Sequence, residues 1–386
     1  MIAPPPAARA AAASFHVLAR SDRVLWLVVA ALAALGLLMV YSASLDTPPH
    51  PTVTSEAVRH AVLGTLGAIA MLAAARLDYR LLLRFSTLGY LGASALLVAV
   101  VVVGESEYGA RRWLAVGGST VQPAEAAKLA LVIALAAYAA SRPPRAAALV
   151  VTGALLAVLA APVLAQPDTG TTVVLVGTWV AIVIAWGVPW RTLGVLFALG
   201  GAAVPLGYAL LVPDYQRERL AVFLDPTRDP LGSGFSLRQV ETALAAGGVT
   251  GEGLFGGAES HLASISGRSS DFIFALVGEE LGIAGGLAVI VLFGLVAWRG
   301  FEASRHAPDA FGRLLAAGLT AMIVLQAFVN VAVNLRLFPA TGLPLPFVSA
   351  GGSALLVMFV AIGLVQSVHS QRPPAQGMQA AMDREG

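Results

Sequence analysis

The chain has 386 residues, of which 58% are apolar and 12% charged, roughly half the charged share of an ordinary soluble domain. A mean hydropathy of +0.80 is more apolar surface than a soluble fold of this size can hide, so the sequence reads as an integral membrane protein. The net charge of +2, with basic residues scattered in pairs, argues against nucleic acid as a partner; the lack of Cys excludes disulfides, thiolate metal sites and cysteine nucleophiles.

A spanning helix needs about 20 mainly apolar residues. Such runs fall at 24–45, 57–75, 81–104, 124–140, 146–165, 170–187, 192–212, 271–298, 314–335 and 349–369. They predict an all-α membrane protein of ten transmembrane helices, with 24–369 as one membrane domain between the tails 1–23 and 370–386. The first run is too long and too late for a cleaved leader. With the N-terminus inside, Arg9, Arg20, Arg23, Arg76, Arg80, Arg84, Arg142, Arg145, Arg191, Arg299, Arg305, Arg313, Arg372 and Arg384 lie on the inner side. Only Arg59, Arg111, Arg112 and Arg336 flank the outer ends, so the positive-inside rule puts both termini in the cytoplasm. Residues 1–13 and 373–386 read as disordered.

Two outer segments stand out. Residues 105–123 mix charge, Gly and apolar positions, and are expected to lie along the membrane interface. Residues 213–270 form a large extracytoplasmic loop between the seventh and eighth spans; its length marks it as functional, and its apolar stretches as partly folded.

In the first of these segments Arg111 and Arg112 precede Trp113. The pair fits either interfacial anchoring or bidentate recognition of a pyrophosphate. Glu125 and Lys128, the one lysine of the chain, are three apart on the fourth span, which Pro123 opens. They fit a self-satisfying ion pair or a cationic phosphate site at the outer edge. Asp168, in QPDTG between the fifth and sixth spans, suits an N-cap or a site carboxylate.

Asp271 closes the long loop beside Phe272, Ile273 and Phe274. It could cap the eighth helix, or be a general base whose pKa partial desolvation raises. Further along, Glu279 and Glu280 read as bundle contacts, with proton relay as the lesser option. Gly278, Gly282 and Gly286 form a small-residue row against which a helix can pack. In 338–353, FPATGLPLPFVSAGGS, three prolines forbid regular helix, and the segment is expected to line an outer cavity or form a re-entrant turn. His60 and His261 are isolated, no metal-ligand spacing occurs, and no internal repeat is evident.

The pieces GARRWLAVGGSTVQPAEAAK, QPDTGT, FLDPTRDPLGSGF, the GEG turn, DFIFALVGEELG and GLPLPFVSAGGS together resemble the SEDS family (shape, elongation, division and sporulation proteins, including RodA, FtsW and SpoVE). They run in the family's order from residue 109 to 353. The resemblance implies a peptidoglycan glycosyltransferase that polymerises lipid II outside the cytoplasmic membrane and works with a class B penicillin-binding protein. It also implies that Asp271 is the essential carboxylate, and that Arg111, Arg112, Glu125, Lys128 and Asp168 line the substrate cavity with Ser349 and Gly352 of VSAGGS. Whether a divalent cation takes part is left open. The chain departs from the family pattern at Gly267-Arg268-Ser269-Ser270, Glu252, Glu259 and Ala350. Loop length and PATGLPLP lean toward RodA.

The implied chemistry is attack of a sugar 4-hydroxyl, deprotonated by Asp271, on a lipid-linked anomeric carbon. Arg111, Arg112 and Lys128 would offset the charge of the departing pyrophosphate. A lipid II flippase and a catalytically decayed scaffold for a penicillin-binding protein are the competing readings.

Overall fold

The computed structural model describes residues 20–44, 55–107, 110–116, 119–211, 214–255 and 267–372. Both predicted disordered tails and His261 and Glu259 of the long loop lie outside them.

The chain is built almost entirely of helices. In order these are α1 (Arg23–Ala43), α2 (Ser55–Arg76), α3 (Leu81–Val103), α4 (Pro123–Ala140), α5 (Ala146–Ala165), α6 (Thr169–Trp186) and α7 (Trp190–Leu211). Then come α8 (Asp214–Leu224), α9 (Ser233–Ala246), α10 (Ile273–Arg305), α11 (Ala310–Asn334) and α12 (Gly352–Ser370). Nine of them are long and apolar enough to cross a membrane among the described residues. At 22 residues, α7 occupies the remaining predicted run. Helices α8 and α9 lie inside the long loop, which the sequence marks only as partly folded.

The exception to helix is the outer segment expected to lie along the interface. It folds as a three-stranded antiparallel sheet, β1 (Glu105–Glu107), β2 (Ala110–Val116) and β3 (Ser119–Val121). Glu105 pairs with Trp113, and Leu114 with Val121. Pairing satisfies the strands' backbone groups locally, which an extended chain at a lipid boundary has to do.

The centre of the bundle is α11, which packs against α4, α6, α10 and α12. Of its most apolar window 78% is buried, against 22% for the peripheral α3. Four residues apart on α11, Gln326, Asn330 and Asn334 are each no more than 1% exposed, so a polar stripe runs through the core on one helix face.

One expected span is not continuous. Helix α10 breaks at Gly282, where φ is +68°, a conformation that favours glycine. The loop after α9 fills the gap. Glu252 and Gly253 donate to the carbonyls of Glu279 and Glu280, while Ile283 and Ala284 donate to those of Gly248 and Val249. The small-residue row therefore receives loop as well as helix: Gly278 faces Leu244 of α9, and Gly282 faces Val249 and Gly251. Glu279 and Glu280 are buried at the break. Glu280 accepts bonds from the Ser42 hydroxyl and the Phe255 amide, in keeping with a bundle contact.

Candidate functional site

Asp271 lies two residues before α10 and hence outside the span. The turn leading to it winds around one carbonyl. The amides of Ser270, Asp271 and Phe272 approach the oxygen of Gly267 at 3.1, 2.9 and 3.2 Å, and Gly267 itself has φ of +87°. Helix α10 has Phe272 at its N-cap with no side-chain cap bond, so Asp271 does not cap the helix. Its carboxylate is left for other work.

That carboxylate is partly buried. Burial pushes its pKa up from the ordinary Asp value, while a Ser270 hydrogen bond and the charges of Arg219 and Arg112 pull the other way; Asp168 adds an upward push. Desolvation wins, which is the condition a general base needs. The same four charges locate the site: β2 supplies Arg112, α8 supplies Arg219, the start of α6 supplies Asp168, and the turn before α10 supplies Asp271.

Each is fastened in place. Arg112 points Nε at the Gln166 carbonyl, 2.8 Å away, and Nη2 at that of Pro167. Asp168 is the N-cap of α6, accepting from the Thr171 amide at 3.0 Å and its hydroxyl at 2.9 Å, and also from Gln122 Nε2 at 3.2 Å. The capping reading of Asp168 holds, and its charge also acts on the Asp271 carboxylate. Arg219 donates to the Ala340 carbonyl at 3.1 Å, tying the long loop to the Pro-rich segment. Arg111 lies in β2 opposite Ser106; its side chain is outside the described part.

The segment 338–353 forms the facing wall. Gly342, with φ of +73°, stands over the carboxylate: a Cβ built there would lie 3.6 Å from Asp271 Oδ2. Ser349, 2% exposed, donates to the Ser270 carbonyl at 2.6 Å and accepts from the Leu345 amide at 2.8 Å. The Ala350 amide donates to the Ser269 carbonyl at 2.9 Å. On the other side the Ser269 hydroxyl donates to Glu56 of α2 at 2.6 Å. The unusual Arg-Ser-Ser stretch before Asp271 is thus held from two directions. Gly352 sits apart, on the α2 side, where an added Cβ would meet Leu63 at 2.9 Å. Its neighbour Ser353 accepts from the Gln122 amide at 3.1 Å, joining α12 to the start of α4.

Glu125 and Lys128 pair at 2.8 Å, and each is 1% exposed. Lys128 also donates to Gln326, whose Nε2 donates to the Pro344 carbonyl at 2.9 Å. The ion pair is present, and among the described residues a chain of hydrogen bonds runs from the lysine through Gln326 to the Pro-rich wall. Among the described residues no three His, Asp or Glu gather as metal ligands.

Sequence reasoning missed Arg219, Gln122, Gln326, Asn330 and Asn334. The amides had a signal: polar residues every four positions in an otherwise apolar span.

Residues 22–373 match the sequence family described as cell cycle protein, FtsW/RodA/SpoVE. The chain is 36% identical over 310 residues to the peptidoglycan glycosyltransferase MrdB of Escherichia coli strain K12, covering 80% of this chain and 84% of that one. It is 34% identical over 360 residues to the stage V sporulation protein E of Bacillus subtilis strain 168, covering 90% and 96%. Among solved structures it resembles a chain of a peptidoglycan synthase complex that coordinates polymerization and crosslinking. There the TM-score is 0.78 and identity 33%, over 92% of this chain and 99% of that one. The rod shape determining protein RodA of Thermus thermophilus aligns with a TM-score of 0.68 and 30% identity, over 92% and 98%. Matched over nearly its whole length, with nine helices among the described residues long and apolar enough to cross a membrane, the chain is a multi-pass bacterial inner-membrane protein of the FtsW/RodA/SpoVE family.

Proposed function

We propose that the chain is a peptidoglycan glycosyltransferase that polymerises lipid II at the outer face of the cytoplasmic membrane, with Asp271 as general base. The observation that carries this reading is the convergence on Asp271 of Arg112, Arg219 and Asp168 in a chain whose relatives include a named glycosyltransferase.

The reaction balances as one displacement. The 4-hydroxyl of one lipid-linked GlcNAc gives its proton to the Asp271 carboxylate as its oxygen bonds to the anomeric carbon of another lipid-linked sugar. The bond from that carbon to pyrophosphate breaks, the electron pair leaves with undecaprenyl pyrophosphate, and the carbon inverts. Arg112, with Arg111 beside it in sequence, and Arg219 offset the charge growing on the pyrophosphate. Lys128 supports the Pro-rich wall from behind through Gln326. The membrane anchors both lipid tails, so proximity supplies part of the acceleration. Both termini face the cytoplasm in this reading, as the arginine distribution requires.

The likeness to a complex that joins polymerization to crosslinking supports a class B penicillin-binding protein as partner. Purified protein reconstituted with labelled lipid II and that partner tests the assignment. A glycan ladder is the expected product. Transbilayer movement of lipid II without polymer would point to a flippase, and neither activity to a scaffold.

A further inference from the structure

We infer that Asn330 and Asn334 are positioning residues that hold Asp271 by its main chain and fix the gap between it and the Pro-rich wall. The kinetic part of this inference rests on the glycosyltransferase reading; the holding itself does not.

Both amides point at the same atom. Asn330 Nδ2 lies 3.0 Å, and Asn334 Nδ2 2.9 Å, from the Asp271 carbonyl oxygen. Each then reaches a second element. Asn330 Nδ2 also donates to the Leu343 carbonyl at 2.8 Å, one residue from the Gly342 that faces the Asp271 carboxylate. Asn334 Oδ1 accepts the Ala275 amide at 3.1 Å, serving the first turn of a helix that has no side-chain cap of its own. One amide therefore bridges the two walls of the site, and the other fixes the helix start behind it.

Packing alone does not call for these residues. They are 1% and 0% exposed inside a span, where leucine would fill similar space without burying polar groups. Asn334 also bonds Asn330 within the helix, but the bonds that leave α11 go to the turn carrying Asp271, the first turn of α10 and the wall facing the carboxylate. A turn earlier on the same face, Gln326 makes the equivalent bond to Pro344, so the stripe supports the wall along its length. A general base needs this kind of fixing, because misplacing a reacting group by about 1 Å costs on the order of a hundredfold in rate.

The test uses full-length Asn330→Leu and Asn334→Leu with the partner transpeptidase, read in two ways. In the polymerisation assay kcat is expected to fall about ten- to a hundredfold while KM for lipid II stays within about twofold, the split expected of lost orientation rather than lost binding. Separately, Asp271→Cys introduces the only thiol of the chain, and a membrane-impermeant maleimide reports on the turn. Adding either Asn→Leu change is expected to speed labelling several-fold. If a leucine variant fails to accumulate, Asn330→Ser and Asn334→Ser are read the same way. Unchanged labelling overturns the holding of Asp271, whatever the kinetics. Faster labelling with unchanged kcat overturns its relevance to the reaction. If the wild-type chain makes no polymer, the glycosyltransferase reading falls, and the labelling still judges whether the amides hold the turn.

Discussion

The hydroxyl of Ser349 donates to the carbonyl of Ser270 at 2.6 Å, so the glycine-rich end of the Pro-rich segment is pinned to the residue preceding Asp271. The same oxygen accepts the Leu345 amide at 2.8 Å, which closes the turn on itself. Ser349→Ala leaves the buried Leu345 N–H and the half-buried Ser270 carbonyl without their partner. The expected cost is about 1–3 kcal/mol of stability, read as a lower unfolding temperature in detergent together with slower polymerisation. A variant as stable and as active as the parent would show that the pin is dispensable.

Glu125 and Lys128 make a sharper case. Removing one partner of a buried pair leaves an uncompensated charge and costs about 3–5 kcal/mol, whereas replacing both with apolar groups is often close to neutral. Glu125→Leu and Lys128→Leu should each lower the unfolding temperature strongly, and the double variant should recover most of it. Because Lys128 contacts Glu125 and Gln326, the double variant should also regain substantial polymerisation. Recovery of stability without activity would mean that the lysine touches the pyrophosphate directly.

The pH dependence follows from the Asp271 environment. Desolvation raises its pKa, and the base form is the carboxylate, so the rate should fall as pH drops through a value above the ordinary Asp pKa of about 3.9. The Arg219 charge favours the carboxylate. Arg219→Ala should therefore move the acid limb to higher pH as well as lower the maximal rate, the arginine's bond to Ala340 being lost too. A pH–rate profile of both proteins checks this, and an acid limb that moves down in the variant contradicts it.

Much of this architecture was legible in the sequence because its cause is local. Hydropathy alone sets where a helix spans, and Pro123 opens α4 as an N-terminal proline should. Asp168 was readable as a cap because capping needs only its own next turn. Other features depend on non-local partners. The break at Gly282 looks like part of a helix-packing row until the loop 247–253 docks into it. The sheet at 105–121 lacks the clean alternation that announces strands. Arg219 lies 52 residues before Asp271 in a loop of many charges, and only the fold sets it apart from Arg217 or Arg228. Lys128 stood out by being unique, yet uniqueness said nothing of the Gln326 that receives it.

The most direct measurement is the product ladder made by Asp271→Asn, which keeps the shape of the side chain and removes its capacity to take a proton. Reconstituted with labelled lipid II and its partner transpeptidase, the variant should make no glycan chains while unfolding within a few degrees of the parent. A well-folded Asp271→Asn protein that polymerises at the parental rate would contradict the account at its centre.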